Sequence, residues 1–280
     1  MSERSTQQGR ENMMDRAMPA VKICGLTRLE DVLAAHDLGV WALGFVFAHS
    51  PRQLTPEAAR KLVQDAGLGQ ARETLQTCAG VSARQHADGE KPGRPLVVGV
   101  FVDTAAETIT SIVRQVGLDG VQLHGVGGPS GEEMRAALED EGRLVLIIQA
   151  VPVDERLEDP SELRRAVEKA SREADVILLD TRTKAQLRGT STRHDTGPSE
   201  PYMVFGGTGE AFPWHLAREF EIETPLLVAG GIGPHNARAA LAESGAWGID
   251  VSSGVESSPG IKDARLMERL VIEARKGSER

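Results

Sequence analysis

From Ala20 onward the chain alternates between two hydrophobic patterns. Short apolar runs rich in Val, Ile and Leu occur at Ala20–Cys24, Ala42–Phe47, Leu96–Val102, Gly120–Leu123, Leu144–Ala150, Val176–Asp180, Leu226–Ala229 and Ile249–Val251. Between them lie segments with apolar residues at helical spacing: Leu29–Leu38, Pro56–Asp65, Ala105–Val116, Gly131–Glu139, Ser161–Glu173, Trp214–Glu219 and Pro234–Glu243, with a last one at Asp263–Arg275. Strands that are apolar throughout and joined by crossover helices are buried on both faces, as in a parallel sheet. Eight such strand–helix units predict an α/β fold, a closed (β/α)8 TIM barrel forming a single domain. The rival, a doubly wound open sheet, would carry G-x-G-x-x-G after its first strand. Here that turn reads Cys24-Gly25-Leu26-Thr27, without the glycines.

Residues 1–17 are polar and lack a hydrophobic period, which predicts a disordered tail ahead of a barrel over residues 18–280. Met13, Met14 and Met18 are alternative first residues. Two stretches, 67–95 and 182–201, interrupt the alternation and exceed ordinary barrel loops. The first precedes a strand and belongs to the bottom of the barrel, where it is expected to be ornamental. The second follows a strand, carries Arg182, Lys184, Arg188 and Arg193, and is expected to project over the active face as a lid.

Composition narrows the class. With 280 residues, 40% hydrophobic and 26% charged, the chain suits a soluble protein with one substantial core. A net charge of −9 argues against a general nucleic-acid binder, yet leaves room for a small anionic substrate held by backbone N–H groups. No run is long enough to span a membrane and no signal-peptide stretch opens the chain, so a cytoplasmic location is expected. Cys24 and Cys78 build neither a disulfide framework nor a four-ligand zinc site, and Cys78 reads as a surface thiol. His36, His49, His86, His194, His215 and His235 show no ligand spacing, so no metal is expected. Monomer and homodimer are both open.

In a barrel, chemistry sits where strands end at the top face. Cys24 ends the first strand, Gln122 and His124 flank the end of the fourth, Asp180 ends the sixth, and Asp250 lies in the eighth. Cys24 reads either as a small buried hydrophobe or as a base, since a thiol titrating near ~8.5, and lower beside a cation, serves near neutrality. Asp180 reads either as a loop-fixing carboxylate or as a general acid kept protonated by an apolar mouth. Arg52, in Ser-Pro-Arg, is a carboxylate fork or a solvated loop side chain, and His124 a ligand contact or a structural hydrogen bond. Gly206-Gly207-Thr208-Gly209, Gly230-Gly231-Ile232-Gly233 and Ser252-Ser253-Gly254 follow the sixth, seventh and eighth strands, where barrels bind phosphate through backbone amides.

Val21-Lys22-Ile23-Cys24-Gly25-Leu26-Thr27, Gly44-Phe45-Val46-Phe47, Ser50-Pro51-Arg52, Val98-Gly99-Val100-Phe101-Val102, Val121-Gln122-Leu123-His124-Gly125, Leu178-Leu179-Asp180-Thr181, Gly207-Thr208-Gly209, Ala229-Gly230-Gly231 and Asp250-Val251-Ser252-Ser253-Gly254-Val255-Glu256 follow one another in this order. In these motifs the chain resembles the phosphoribosylanthranilate isomerase family. The resemblance spans about Ala20 to Arg275, leaving the tail and the two long stretches uncovered. The resemblance implies an enzyme of tryptophan biosynthesis that performs an Amadori rearrangement without metal or organic cofactor. It assigns Cys24 as general base and Asp180 as general acid. Phosphate contacts fall on Gly207, Thr208, Gly209, Gly231, Ser252, Ser253 and Gly254, and substrate contacts on Arg52, Gln122, His124 and Asp250. The chain departs from the family in its long 182–201 loop and at Gln149, read as the end of strand five, where family members often carry lysine.

Rival barrel enzymes fit less well. A ribulose-phosphate epimerase would need metal-ligating histidines and acids, an indoleglycerol-phosphate synthase a catalytic lysine, and the dual-substrate isomerase of histidine and tryptophan synthesis an aspartate in place of Cys24. A catalytically silent phosphometabolite-binding protein need not keep Cys24 and Asp180.

Overall fold

The structure, a computed structural model, describes residues 18–69, 94–125, 127–140, 142, 144–154, 160–182 and 214–277. Residues 1–17, most of the stretches 67–95 and 182–201, and the turn Gly206–Gly209 lie outside the described residues. Eight parallel strands close into a barrel in chain order: β1 (Ala20–Cys24), β2 (Ala42–Val46), β3 (Leu96–Val102), β4 (Gly120–His124), β5 (Leu146–Asp154), β6 (Val176–Arg182), β7 (Leu226–Val228) and β8 (Gly248–Val251). β8 pairs back onto β1 and shuts the ring. Helices α1 (Leu29–Asp37), α2 (Pro56–Asp65), α3 (Ala106–Val116), α4 (Gly131–Asp140), α5 (Pro160–Glu173), α6 (Ala237–Ser244) and α7 (Ala264–Lys276) accompany the strands. This is the expected (β/α)8 barrel.

Local chemistry sets the helix starts. Thr55 accepts a hydrogen bond from the Ala58 amide and Pro56 occupies the first turn of α2, where its missing N–H costs nothing. Asp263 caps α7 through the Arg265 and Leu266 amides. The sequence pattern departs from the structure in four places. Trp214–Glu219 forms a 3-10 turn rather than an α-helix. The helix expected from Pro234 starts at Ala237, because Asn236 folds back to accept the Gly233 amide. β5 and β6 stay paired as far as Asp154 and Arg182, beyond the expected ends at Ala150 and Asp180. Lastly, an antiparallel hairpin, β9 (Glu256–Ser258) with β10 (Ile261–Lys262), follows β8, where no apolar run announces it.

Strand side chains alternate between two cores. Ala42, Val98, Ile148, Ala150, Leu178 and Leu227 pack together inside the barrel, whereas Ile23, Phe45, Val97, Ile147, Leu179 and Ile249 pack outward with the helices. At the N-terminal end, Trp41 and Trp247 meet edge to face with ring centroids 5.0 Å apart. At the same end Asp119 accepts the Val97 amide at 2.8 Å and two hydrogen bonds from Arg94, at 2.7 and 2.8 Å. Asp175 repeats the device on Ile147 with Arg135. These ties lie away from the C-terminal mouth and hold the barrel's lower rim.

Candidate active site

The same alternation selects the polar residues that reach the interior. Ala20 is an interior residue of β1, so Lys22 and Cys24 share its face. On β6, Val176 and Leu178 are interior, and the half-buried Asp180 is the next inward position at the mouth. Gln122 and His124 alternate with the outward Val121 and Leu123. On β8, Asp250 is the register partner of Lys22. The C-terminal ends of β1, β4, β6 and β8 therefore bring Cys24, Gln122, His124, Asp180 and Asp250 to one mouth. The strands are parallel, so all these ends share one side of the barrel.

Close packing shapes the space around the thiol. Lys22 is fully buried and its Nζ lies 3.0 Å from Asp250 Oδ1. A Cβ added to Gly44 on β2 would lie 3.0 Å from Cys24 Sγ and 3.1 Å from Lys22 Nζ, so the absent side chain makes room for both. Gln122 Nε2 and His124 Nε2 are 2.5 Å apart, and the buried Gln122 Oε1 has no partner among the described residues.

A second group of charges roofs the turn after β1. Arg52 is buried, and its Nε and NH2 donate to the two carboxylate oxygens of Glu256 at 2.7 and 2.5 Å. Of the two readings of Arg52, this excludes the solvated loop side chain and keeps the carboxylate fork: an opposed carboxylate makes its burial tolerable. Lys262 donates to the same Glu256 at 2.7 Å and to the Ser252 carbonyl at 3.1 Å. Gly25, at φ +75, is required because a side chain there would collide with the Arg52 stem. Thr27 donates to the Gly260 carbonyl and the Lys262 amide donates to Asp31, so the hairpin is bolted to the turn that carries Cys24.

Burial dominates the ionisation of these groups. It pushes the Cys24 thiol up; Lys22 pulls it down, Asp250 raises it again and Lys262 lowers it, leaving it above its ordinary value. The expectation of a thiol at or below its usual pKa is thus corrected, because desolvation exceeds the pull of the cations. Burial alone disfavours the Lys22 ammonium, but Asp250 and Cys24 more than offset this and hold its pKa above normal. Burial likewise opposes the Glu256 carboxylate, yet Arg52 and Lys262 hold it below the usual range. Lys262 is depressed by burial, which Glu256 only partly compensates.

The loops after β7 and β8 interlock. Gly231 has φ +63 and its carbonyl accepts from Asn236. A side chain at Gly254 would collide with the Ile232 carbonyl, so the turn through Ser252, Ser253 and Gly254 lies directly on the turn through Gly231. Ser252 is held by Lys262 through its carbonyl. Gly207, Thr208 and Gly209 are outside the described residues. Gln149 does not stand at a strand end: β5 continues to Asp154, and Gln149, paired with the outward Leu123, faces away from the interior. A lysine there would not reach the mouth through the barrel. Sequence reasoning missed Lys22, Glu256 and Lys262 as parts of the site. A lysine in the middle of an apolar strand was a visible signal for the first, Glu256 stood only at the end of the Asp250–Glu256 motif, and Lys262 carried no signal.

Comparison with known proteins adds to this geometry. The model of the family described as N-(5′-phosphoribosyl)anthranilate (PRA) isomerase matches residues 68–273. The chain is similar to the N-(5′-phosphoribosyl)anthranilate isomerase of Rubrobacter xylanophilus, 35% identical over 259 residues that cover 92% of this chain and 100% of that one. Among solved structures it is similar to monomers of the dimeric phosphoribosylanthranilate isomerase of Thermotoga maritima, at 28% identity and a TM-score of 0.61 over 92% of this chain and 100% of that one. It is also similar to a phosphoribosyl anthranilate isomerase in complex with reduced 1-(o-carboxyphenylamino)-1-deoxyribulose 5-phosphate, at 29% identity and a TM-score of 0.57, with the same coverage.

Proposed function

The chain belongs to the N-(5′-phosphoribosyl)anthranilate isomerase family, and from that premise we propose that Cys24 is its general base and Asp180 its general acid. The protein is an isomerase of tryptophan biosynthesis that converts N-(5-phosphoribosyl)anthranilate to 1-(2-carboxyphenylamino)-1-deoxyribulose 5-phosphate by an Amadori rearrangement. One observation supports the two roles most directly: strand alternation aims both side chains into the same barrel mouth.

The reaction needs one proton delivered and one removed. Asp180 protonates the furanose ring oxygen as the nitrogen lone pair expels it from C1, giving an open-chain iminium. The iminium acidifies the C2 proton, so a modest base suffices. The Cys24 thiolate takes that proton, its electron pair moves to the C1–C2 bond, and the iminium nitrogen is neutralised. The resulting enolamine tautomerises to the ketone. Phosphate held by Gly231, Ser252, Ser253 and Gly254, joined by Gly207, Thr208 and Gly209, fixes one end of the sugar. Arg52 takes the anthranilate carboxylate at the other end, and the buried Gln122 amide oxygen accepts a sugar hydroxyl, with His124 orienting that amide. Asp250 acts beside the substrate while holding Lys22. The dimeric Thermotoga relative favours a homodimer over a monomer, and a substrate charged at both ends suits the cytoplasm, where it is retained.

Cys24→Ser and Asp180→Asn test the assignment. Each is expected to cut kcat by ~100-fold or more without moving Tm, read by the fluorescence loss of phosphoribosylanthranilate. Near-normal turnover of a folded variant would remove that residue from the mechanism.

A further inference from the structure

Lys22 is an ammonium sealed inside the barrel, and the mechanism above leaves it without a task. A buried lysine is costly unless its charge is matched, and Asp250 matches it at 3.0 Å from the neighbouring strand. A purely structural pair would serve as well deeper in the barrel. This one lies one inward position below Cys24, and its ammonium and the thiol both border the space left by Gly44, at 3.1 and 3.0 Å from the point a Cβ would occupy. The charged groups acting on the thiol are Lys22 on β1, Asp250 on β8, Lys262 on β10 and Arg52 after β2. Arg52 and Lys262 both also donate to Glu256.

We propose that Lys22 is a positioning residue for Cys24: anchored by Asp250, it is the cation against which the thiolate forms, and Asp250 sets how much of its charge the thiol feels. The inference rests on reading Cys24 as the base. Lys22 stays protonated throughout. Cys24 loses its proton to solvent before turnover, the thiolate is balanced by Lys22, and the proton taken from C2 restores the thiol. Burial raises the thiol, so a fixed neighbouring cation keeps the thiolate accessible near neutrality.

The test uses the full chain and three variants, Lys22→Met, Asp250→Asn and the double variant, each checked for folding by circular dichroism. The rate of iodoacetamide alkylation at Cys24 is followed against pH by mass spectrometry of its peptide, which separates it from Cys78. In Lys22→Met the alkylation midpoint is expected to rise by about one pH unit or more, slowing alkylation about tenfold below the midpoint. In Asp250→Asn the midpoint is expected to fall, because the ammonium is released toward the thiol. The double variant is expected between Lys22→Met and the parent, since Lys22 acts on the thiol more strongly than Asp250 does. The rising limb of kcat/KM against pH should move in the same directions. Should Lys22→Met fail to fold, Asp250→Asn and the charge-free double variant decide. Midpoints equal to the parent's in those two, or a rise in Asp250→Asn, would overturn the proposal. Normal turnover in Cys24→Ser would instead sink the base assignment, while the alkylation midpoints would still report whether Lys22 acts on the thiol.

Discussion

Glu256→Gln probes the part of the site that the strand pattern did not announce. Glu256 is the common acceptor for Arg52 and Lys262, and the side chains of the three are 4%, 8% and 0% exposed in that order. Glutamine keeps the shape but removes the charge, and it presents an NH2 group to one of two neighbours that can only donate. Water cannot take over at this burial. Removing one partner of a buried ion pair costs ~3–5 kcal/mol, and the amide oxygen retains one hydrogen bond, so the lower end, about 3 kcal/mol, is expected. In a chain of this size that corresponds to a Tm lower by roughly 6–12 °C. The pH dependence has a definite sign. Glu256 titrates below its ordinary 4.5, so its contribution is complete above that pH and is lost as pH falls through the depressed folded value. Thermal unfolding followed by circular dichroism should show a wide gap between parent and variant at neutral pH that closes as the pH falls below 4.5 and through the depressed folded value. A Tm loss under about 2 °C at neutral pH, or a gap that widens in acid, would refute the account of Glu256 as a charge partner.

Two further substitutions separate stability from catalysis. Asp119→Ala removes the acceptor of the Val97 amide and of Arg94 at the lower rim, and should cost about 3 kcal/mol in urea unfolding while kcat of the folded fraction stays at the parent's value. A fall in kcat would show that the rim is coupled to the mouth. Gly44→Ala inserts a methyl between Cys24 Sγ and Lys22 Nζ and should lower kcat by ~10-fold or more, with an overpacking cost of ~1–3 kcal/mol in unfolding. Parent-like turnover would mean that the thiol tolerates displacement, which the base assignment does not allow.

Much of the site was legible in the sequence because position along a strand carries geometric information. Cys24, Gln122, His124, Asp180 and Asp250 sit at or near the ends of apolar runs, and the barrel rule converts strand ends into one face. Gln149 shows where such reading slips. Its apolar neighbours hide the end of β5, and the extra pairing with β6 up to Asp154 moves Gln149 from the apparent strand end to its interior. Arg52 could be placed in a loop, but its burial depends on Glu256, 204 positions away. The thiol went wrong in sign: a cation nearby suggests a depressed value, whereas the depth of burial, known only from the folded chain, outweighs it.

The sequence by itself determined the order of strands and helices and, through the two-residue period, which side chains of each strand share a face; both follow from local backbone geometry, which a linear pattern records. Only the tertiary structure decided the charge partners. Lys22 meets Asp250 because β8 closes onto β1, and Arg52 meets Lys262 through Glu256 because a hairpin with little apolar content folds back over the first turn. Such pairs depend on ring closure and desolvation, which are properties of the whole packed chain rather than of any segment of it.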